Sequence, residues 1–370
     1  MQTLLPYLTT VVSFIVVLTV IVFVHEMGHY LVARWNGIAI QTFSIGFGPE
    51  LFGRDDRHGT RWRVSAIPLG GYVRFVGDMN ATSAVPDHDL IANASPELQR
   101  RLFVNKNVWQ RIAVVVAGPA ANVIFTFLII YALLLGYGRY TIPPVIGDVV
   151  AGSVAAGAGL QAGDTVLSVD GFKVRGFEDF QRLVATAPQR QVSIVIERNG
   201  VDKTILATPL AVETTDNFGH PQRVGQIGVS RAVAQTDVTL YRPNPVEAVG
   251  MSFEEIRFIV DRTAAFIGDF FVGRGDREQL GGPVKVAQVS GEVATLGFAA
   301  FVNLIAMISL NIGLFNLLPV PMLDGGHLAY YLIEAVRGRP LSQRIQEIGF
   351  RFGLALVFML TIFTLVNDLI

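Results

Sequence analysis

The chain has 370 residues, 51% hydrophobic and only 16% charged, where a soluble domain carries about 25% charged residues; this composition implies an integral membrane protein with a soluble portion. The net charge of −1 gives no argument for a nucleic-acid partner. With no cysteine, disulfides and thiolate ligands are excluded, and any metal site must be built from His, Asp or Glu.

The first residues, MQTLLPYLTT, lack the basic start of a secretory signal, and no small-residue cleavage pattern follows. The segment therefore reads as a retained membrane helix. Leu4 to Val24 carries no charge and at 1.5 Å per residue covers about 31 Å, close to the hydrocarbon thickness. Next comes His25-Glu26-Met27-Gly28-His29, then apolar Tyr30 to Ala33, then Arg34. A helix continuing through the motif leaves both histidines below the membrane surface. Four apart, they share one helix face and can reach one Zn²⁺. Glu26 is then placed to contact a water beside the metal, whose pKa zinc lowers to about 7, and to accept its proton. Charged and metal-binding groups are costly inside an apolar run. Their presence there points to a protease acting within or beside a bilayer.

Residues 35–110 carry two expected strands, Trp62–Ile67 and Tyr72–Val76, around the turn Pro68-Leu-Gly-Gly71, and residues 80–100 read as a polar loop. Ile112 to Gly138 is a second uncharged stretch, bounded by Arg111 and Arg139 and containing Gly118, Pro119 and Asn122.

Residues 145–210 read as a small domain. Strand Thr165–Val169, turn Asp170-Gly171, helix Phe177–Ala187, strand Val192–Ile196, turn Asn199-Gly200 and strand Thr204–Ala207 follow in order. The small residues of 148–159 suit a peptide-binding loop or ordinary turns. Over 246–272, apolar residues alternate with Glu254, Glu255, Arg257, Asp261 and Arg262. This fits an amphipathic helix, either on the membrane face and other helices or packed on the small domain.

Ala294 to Leu323 and Phe352 to Val366 complete four expected spans. The short loop between the last two carries Arg337, Arg339 and Arg344, which makes it cytoplasmic by the positive-inside rule. Both termini and the long segment 139–293 then lie outside the cytoplasm, and 35–110 inside. The expected divisions are 1–138, 139–215, 216–293 and 294–370.

A catalytic zinc site needs a third protein ligand. His58, His88 and His220 sit in polar segments. Asp324, after Pro319-Val-Pro321, is the best carboxylate, and His327 is the alternative. The prolines prevent a regular helix there, and unwound backbone at membrane depth must be buried in protein or line a cavity.

HEMGH, Gly118-Pro-Ala-Ala-Asn122 and Asn316-Leu-Leu-Pro-Val-Pro-Met-Leu-Asp-Gly-Gly326 together resemble the site-2 protease family, in its RseP-like bacterial group of intramembrane zinc metalloproteases. The resemblance covers nearly the whole chain. It implies a polytopic α-helical membrane protein of about four transmembrane helices, with a cytoplasmic-side membrane-associated β-region over Arg63–Phe75 and an inserted α+β PDZ domain at 139–215. The pattern AGLxxGDxxLxVDG over Ala158–Gly171 resembles a PDZ domain, present once where the best-known enterobacterial members carry two in tandem. The family pattern assigns His25, His29 and Asp324 as Zn²⁺ ligands and Glu26 as the catalytic base. It also matches Asn311 and Asn316 to positions that engage substrate. Its expected partners are membrane lipid and single-span substrates such as anti-sigma factors or signal-peptide remnants, cut at a bacterial inner membrane with the PDZ domain in the periplasm. Two other readings fit parts of the chain: a PDZ-bearing scaffold or pseudoenzyme with structural zinc, and a zinc transporter. The complete His, His, Asp and Glu set argues against the first, and the scarcity of polar residues in the second and fourth spans against the other.

Overall fold

A computed structural model describes residues 4–78, 88–215, 221–231, 237–271 and 281–369. The chain divides into two units, one of Met1–Ile130 with Leu280–Ile370 and one of Tyr131–Gln279.

The first unit opens with α1 (Leu4–Trp35), which runs unbroken through HEMGH. Then come β1 (Ile40–Asp55) and β2 (Arg61–Phe75), paired antiparallel. The two short strands expected around Pro68–Gly71 are thus one long, bent element, and β1 is an addition. Thr42, Phe43, Ser44 and Ile45 each have two partners, Arg74, Val73, Tyr72 and Gly71 on one side and Arg61, Trp62, Arg63 and Val64 on the other. This part of β1 therefore lies between the two arms of β2, and the arm Gly71–Phe75 forms an edge. Tyr30, Ile40, Phe43, Phe103 and Val114 make one buried cluster at the end of α1. There Trp62 stacks on Phe43 at 4.4 Å. Aromatic pairs of this kind add about 0.5–1.5 kcal/mol beyond the area they bury.

The loop expected over 80–100 lies partly outside the described residues. Its described part holds α2 (His88–Asn93) and α3 (Pro96–Gln99). Ser95 caps α3 by accepting from the Leu98 amide, as short polar side chains do at helix starts. Helix α4 (Val108–Gly136) follows.

The second unit contains β3 (Arg139–Thr141), β4 (Asp148–Val149), α5 (Val154–Ala158), β5 (Thr165–Val169), β6 (Phe172–Lys173), α6 (Phe177–Ala185), β7 (Val192–Arg198) and β8 (Val201–Ala207). Next are β9 (Leu210–Thr215), β10 (Pro221–Gln226), β11 (Val229–Ser230), β12 (Thr239–Tyr241) and α7 (Pro245–Phe271). One four-stranded sheet has the order β6-β5-β7-β8. Its β5–β6 and β7–β8 hairpins turn at Asp170-Gly171 and Asn199-Gly200, all four residues with positive φ, the two-residue turn that suits twisted strands. Phe177, Phe180 and Val184 bury one face of α6. Helix α7 packs on this unit, the second of the two placements its sequence allowed. Phe258 meets Phe172 edge-on at 5.7 Å. Glu255 takes an ion pair from Arg182, Glu254 one from Arg175, and Arg262 lies 3.7 Å from Asp170.

Back in the first unit, α8 (Pro283–Thr295) packs along α1, with Gly291 against Thr10. The third span does not begin at Ala294, which belongs to α8; Gly297, at φ +107°, separates the two helices. The span is α9 (Phe298–Asn316), and the chain unwinds from Leu317 until α10 (Asp324–Arg337). Helix α11 (Gln343–Leu369) ends the described chain. Its Gly353 admits the unwound segment and its Gly349 admits α10: a Cβ on Gly353 would sit 1.9 Å from the Pro321 carbonyl oxygen, and one on Gly349 2.0 Å from the Tyr330 hydroxyl. Small residues four apart let membrane helices approach closely. Among the described residues, four helices are long and apolar enough to cross a membrane: Pro6–Trp35, Val108–Gly136, Phe298–Asn316 and Arg344–Asp368.

Candidate metal centre

One continuous helix sets the first half of the site. Because α1 does not break at the motif, His25 and His29 lie one above the other, their ring centroids 4.8 Å apart. The second half comes from the unwound segment. Leu317 to Leu323 folds back so that Asp324 becomes the first residue of α10, where the helix dipole favours a carboxylate. This tight packing explains the paired glycines that follow. A Cβ on Gly325 would lie 2.2 Å from the Leu318 carbonyl oxygen, and one on Gly326 2.4 Å from that of Val320. Met322 adopts φ +89° in the same segment, a left-handed conformation that costs a non-glycine residue about 1–3 kcal/mol.

Three lone-pair atoms converge. His25 Nε2 and His29 Nε2 are 3.2 Å apart. Asp324 Oδ2 lies 3.1 Å from the first and 3.5 Å from the second. This carboxylate oxygen is buried, and no group other than the two imidazole nitrogens stands against it, a costly state unless a cation or a shared proton takes the place. A tetrahedral zinc with bonds of about 2.0–2.1 Å holds its ligand atoms about 3.3 Å apart. The observed triangle fits that ion. Among the described residues, these three form the one group of His, Asp and Glu able to hold a metal.

Neighbouring groups fix the rings. His29 Nδ1 lies 2.8 Å from the Val114 carbonyl oxygen on α4. A carbonyl only accepts, so Nδ1 carries the proton and Nε2 is bare for a metal. Gly118 lets α4 approach: a Cβ there would lie 2.3 Å from His29 Nε2. Asn122, fully buried, stands 3.3 Å from His25 Nδ1.

Glu26 points off the ligand face towards the edge arm of β2. Its carboxylate lies beside the Val73 backbone, and Gly71 is close enough that a Cβ would lie 3.4 Å from Glu26 Cγ. His25, Glu26, His29, Asp324, Asn316 and the edge residues Gly70 to Val73 line one cavity of about 370 Å³. Asn316 sits 3.5 Å from His25 Nε2. Asn311 is not among the lining residues; its amide donates to the Met307 carbonyl one turn back at 3.1 Å. His327, the alternative third ligand, lines the cavity outside the ligand triangle. His58 lies in the β1–β2 turn, His88 starts α2, and His220 is outside the described residues.

Sequence reasoning gave no role to Val114, Asp78 or Tyr331, though all three line the cavity. A backbone carbonyl leaves no trace in a sequence. The Gly and Asn of the second span were visible as unusual residues, but their partners were not.

The chain matches the model of peptidase family M50 over residues 13–360. It is 48% identical over 98% of its length to a protein of Mesorhizobium japonicum named as a zinc metalloprotease, covering 99% of that protein. A similarly named protein of Brucella suis is 47% identical over 97% of this chain and 95% of its own length. The metalloprotease MmpA of Caulobacter vibrioides is 38% identical over 98% of this chain and 96% of its own.

Proposed function

The chain belongs to peptidase family M50, and from that membership we propose that this membrane zinc metalloprotease cuts single-span proteins within or beside their membrane segment. The observation that carries the reading is the convergence of two imidazole nitrogens and an unsatisfied carboxylate oxygen beside the Glu26 carboxylate in one cavity. His25, His29 and Asp324 hold the zinc. When bound, zinc supplies the Lewis acidity that makes water nucleophilic near neutral pH. Glu26, beside the Val73 backbone, accepts the proton of the attacking water and passes it to the leaving amine.

A helix hides its peptide bonds, so the substrate must unwind before it is cut. The edge arm Gly71–Phe75 has a neighbouring strand, β1, on one side, and an extended substrate adds along the other as a further strand. The Asn316 amide bonds substrate backbone in the cavity, and Asn311 meets substrate further along α9. The arginines of the last short loop support a site near the cytoplasmic face of a bacterial inner membrane. The second unit is then a periplasmic PDZ domain that binds a substrate terminus or excludes bulky ectodomains. Substrates are membrane-tethered regulators such as anti-sigma factors, cut after a first protease removes the ectodomain, or signal-peptide remnants.

The test is in cells, on tagged single-span proteins, with wild type compared with Glu26→Gln and trapped substrates identified by mass spectrometry. Fragments dependent on Glu26, with termini inside a membrane segment, support the reading. Cuts confined to soluble domains would overturn it. A reporter fused within 170–200 should read as periplasmic, and a cytoplasmic reading would reverse the orientation.

A further inference from the structure

Asn122 lies on α4 with no exposed surface. Its amide nitrogen is the atom placed 3.3 Å from His25 Nδ1, while its Oδ1 is buried with no donor. With the amide this way round, Nδ1 must accept. The ring proton then sits on Nε2, aimed at Asp324 and His29, and His25 has no lone pair for a metal. The two ends of an amide are nearly the same size, and their assignment follows the hydrogen-bond network. Turning the amide over satisfies the orphaned oxygen and leaves Nε2 bare. His25 then matches His29, whose Nδ1 proton is held by the Val114 carbonyl.

We infer that Asn122 is a positioning residue for the metal site: its Oδ1 accepts the His25 Nδ1 proton and fixes the ring in the one tautomer and orientation that can ligate zinc. The inference rests on the proposed zinc site. Groups that hold the far nitrogen of a ligand histidine are worth about 10–100-fold in metal affinity.

The experiment is zinc affinity by chelator competition on the purified full-length protein in detergent, with thermal melting of the zinc-free form alongside. Asn122→Asp keeps an acceptor and should bind zinc within about threefold of wild type. Asn122→Leu removes the acceptor at similar volume and should bind about 10–100-fold more weakly, with a zinc-free melting temperature no lower than wild type. Asn122→Ala serves if the leucine variant does not fold. Equal affinity for wild type and Leu or Ala, or a loss in Asp as large as in Leu, overturns the assignment. Wild type that binds no zinc defeats the site itself, a distinct result.

Discussion

The Asp324 carboxylate oxygen Oδ2 lies 3.1 Å from His25 Nε2, and apart from the two imidazoles nothing satisfies it. The two residues come from opposite ends of the first unit. Their meeting depends on an unbroken α1 and on a broken chain after α9. Removing the charge by Asp324→Asn leaves shape and volume almost unchanged. It should lower zinc occupancy at limiting metal at least tenfold and reduce cleavage in proportion. Metal analysis after dialysis against a weak chelator reads this directly.

Gly118 makes a second, steric prediction. In an isolated helix Gly→Ala gains about 1 kcal/mol. Here the added Cβ would lie 2.3 Å from His29 Nε2 and 2.9 Å from His25 Cε1, so the rings must shift. Gly118→Ala should therefore lose zinc affinity by tenfold or more while its helical content is kept. Circular dichroism and chelator competition, measured together, separate the two effects.

Burial pushes the Asp78 carboxyl up to about 6 from its ordinary 3.8, against the opposing pull of the Phe75 amide and the Arg74 charge. The native state thus keeps a proton that the unfolded chain releases near pH 4. Stability falls as pH rises from about 4 to 6, and the loss stays constant above that. Asp78→Asn cannot ionise. It should be more stable than wild type at pH 8, by about 3 kcal/mol, and the difference should vanish near pH 4. Thermal melting of both proteins across that range checks the sign.

Arg111 on α4 and Glu334 on α10 pair at 2.5 Å with 13% and 15% of their side chains exposed, and Arg111 also lies 4.8 Å over the Tyr331 ring. The pair ties to α4 the helix that begins with Asp324. Arg111→Met strands a largely buried carboxylate and should cost about 1–3 kcal/mol. Adding Glu334→Gln should recover part of that. A double-mutant cycle on melting temperature gives the coupling.

Local rules made the second unit readable. Asp170-Gly171 and Asn199-Gly200 fixed two hairpins, and β-branched runs such as Val192–Ile196 marked strands that the structure keeps. HEMGH was equally plain, because its helix needed no partner to bring the histidines together. Other elements depend on distant neighbours. β1 contains Gly46, Gly48 and Pro49 and lacks alternation, yet pairs because both arms of β2 enclose it. Helix α8 mixes Ser290, Gly291 and Glu292 into an apolar stretch, and its small residues make sense only against Thr10 of α1. The start of α9 was misplaced because Gly297 interrupts an otherwise continuous apolar run. Asp324 and His327 could not be separated by sequence spacing alone; only the fold-back after Pro319 puts one inside the ligand triangle and leaves the other beside it.

The central claim is that Glu26 works beside a zinc held by His25, His29 and Asp324. The direct measurement pairs zinc content with cleavage of a single-span substrate by purified wild type and Glu26→Gln. Both proteins should hold one zinc per chain, and the variant should cut at least a thousandfold more slowly, since its amide cannot accept the proton of water. A Glu26→Gln protein that cleaves at the wild-type rate, or a wild type that cleaves fully after its zinc is removed, would contradict the account.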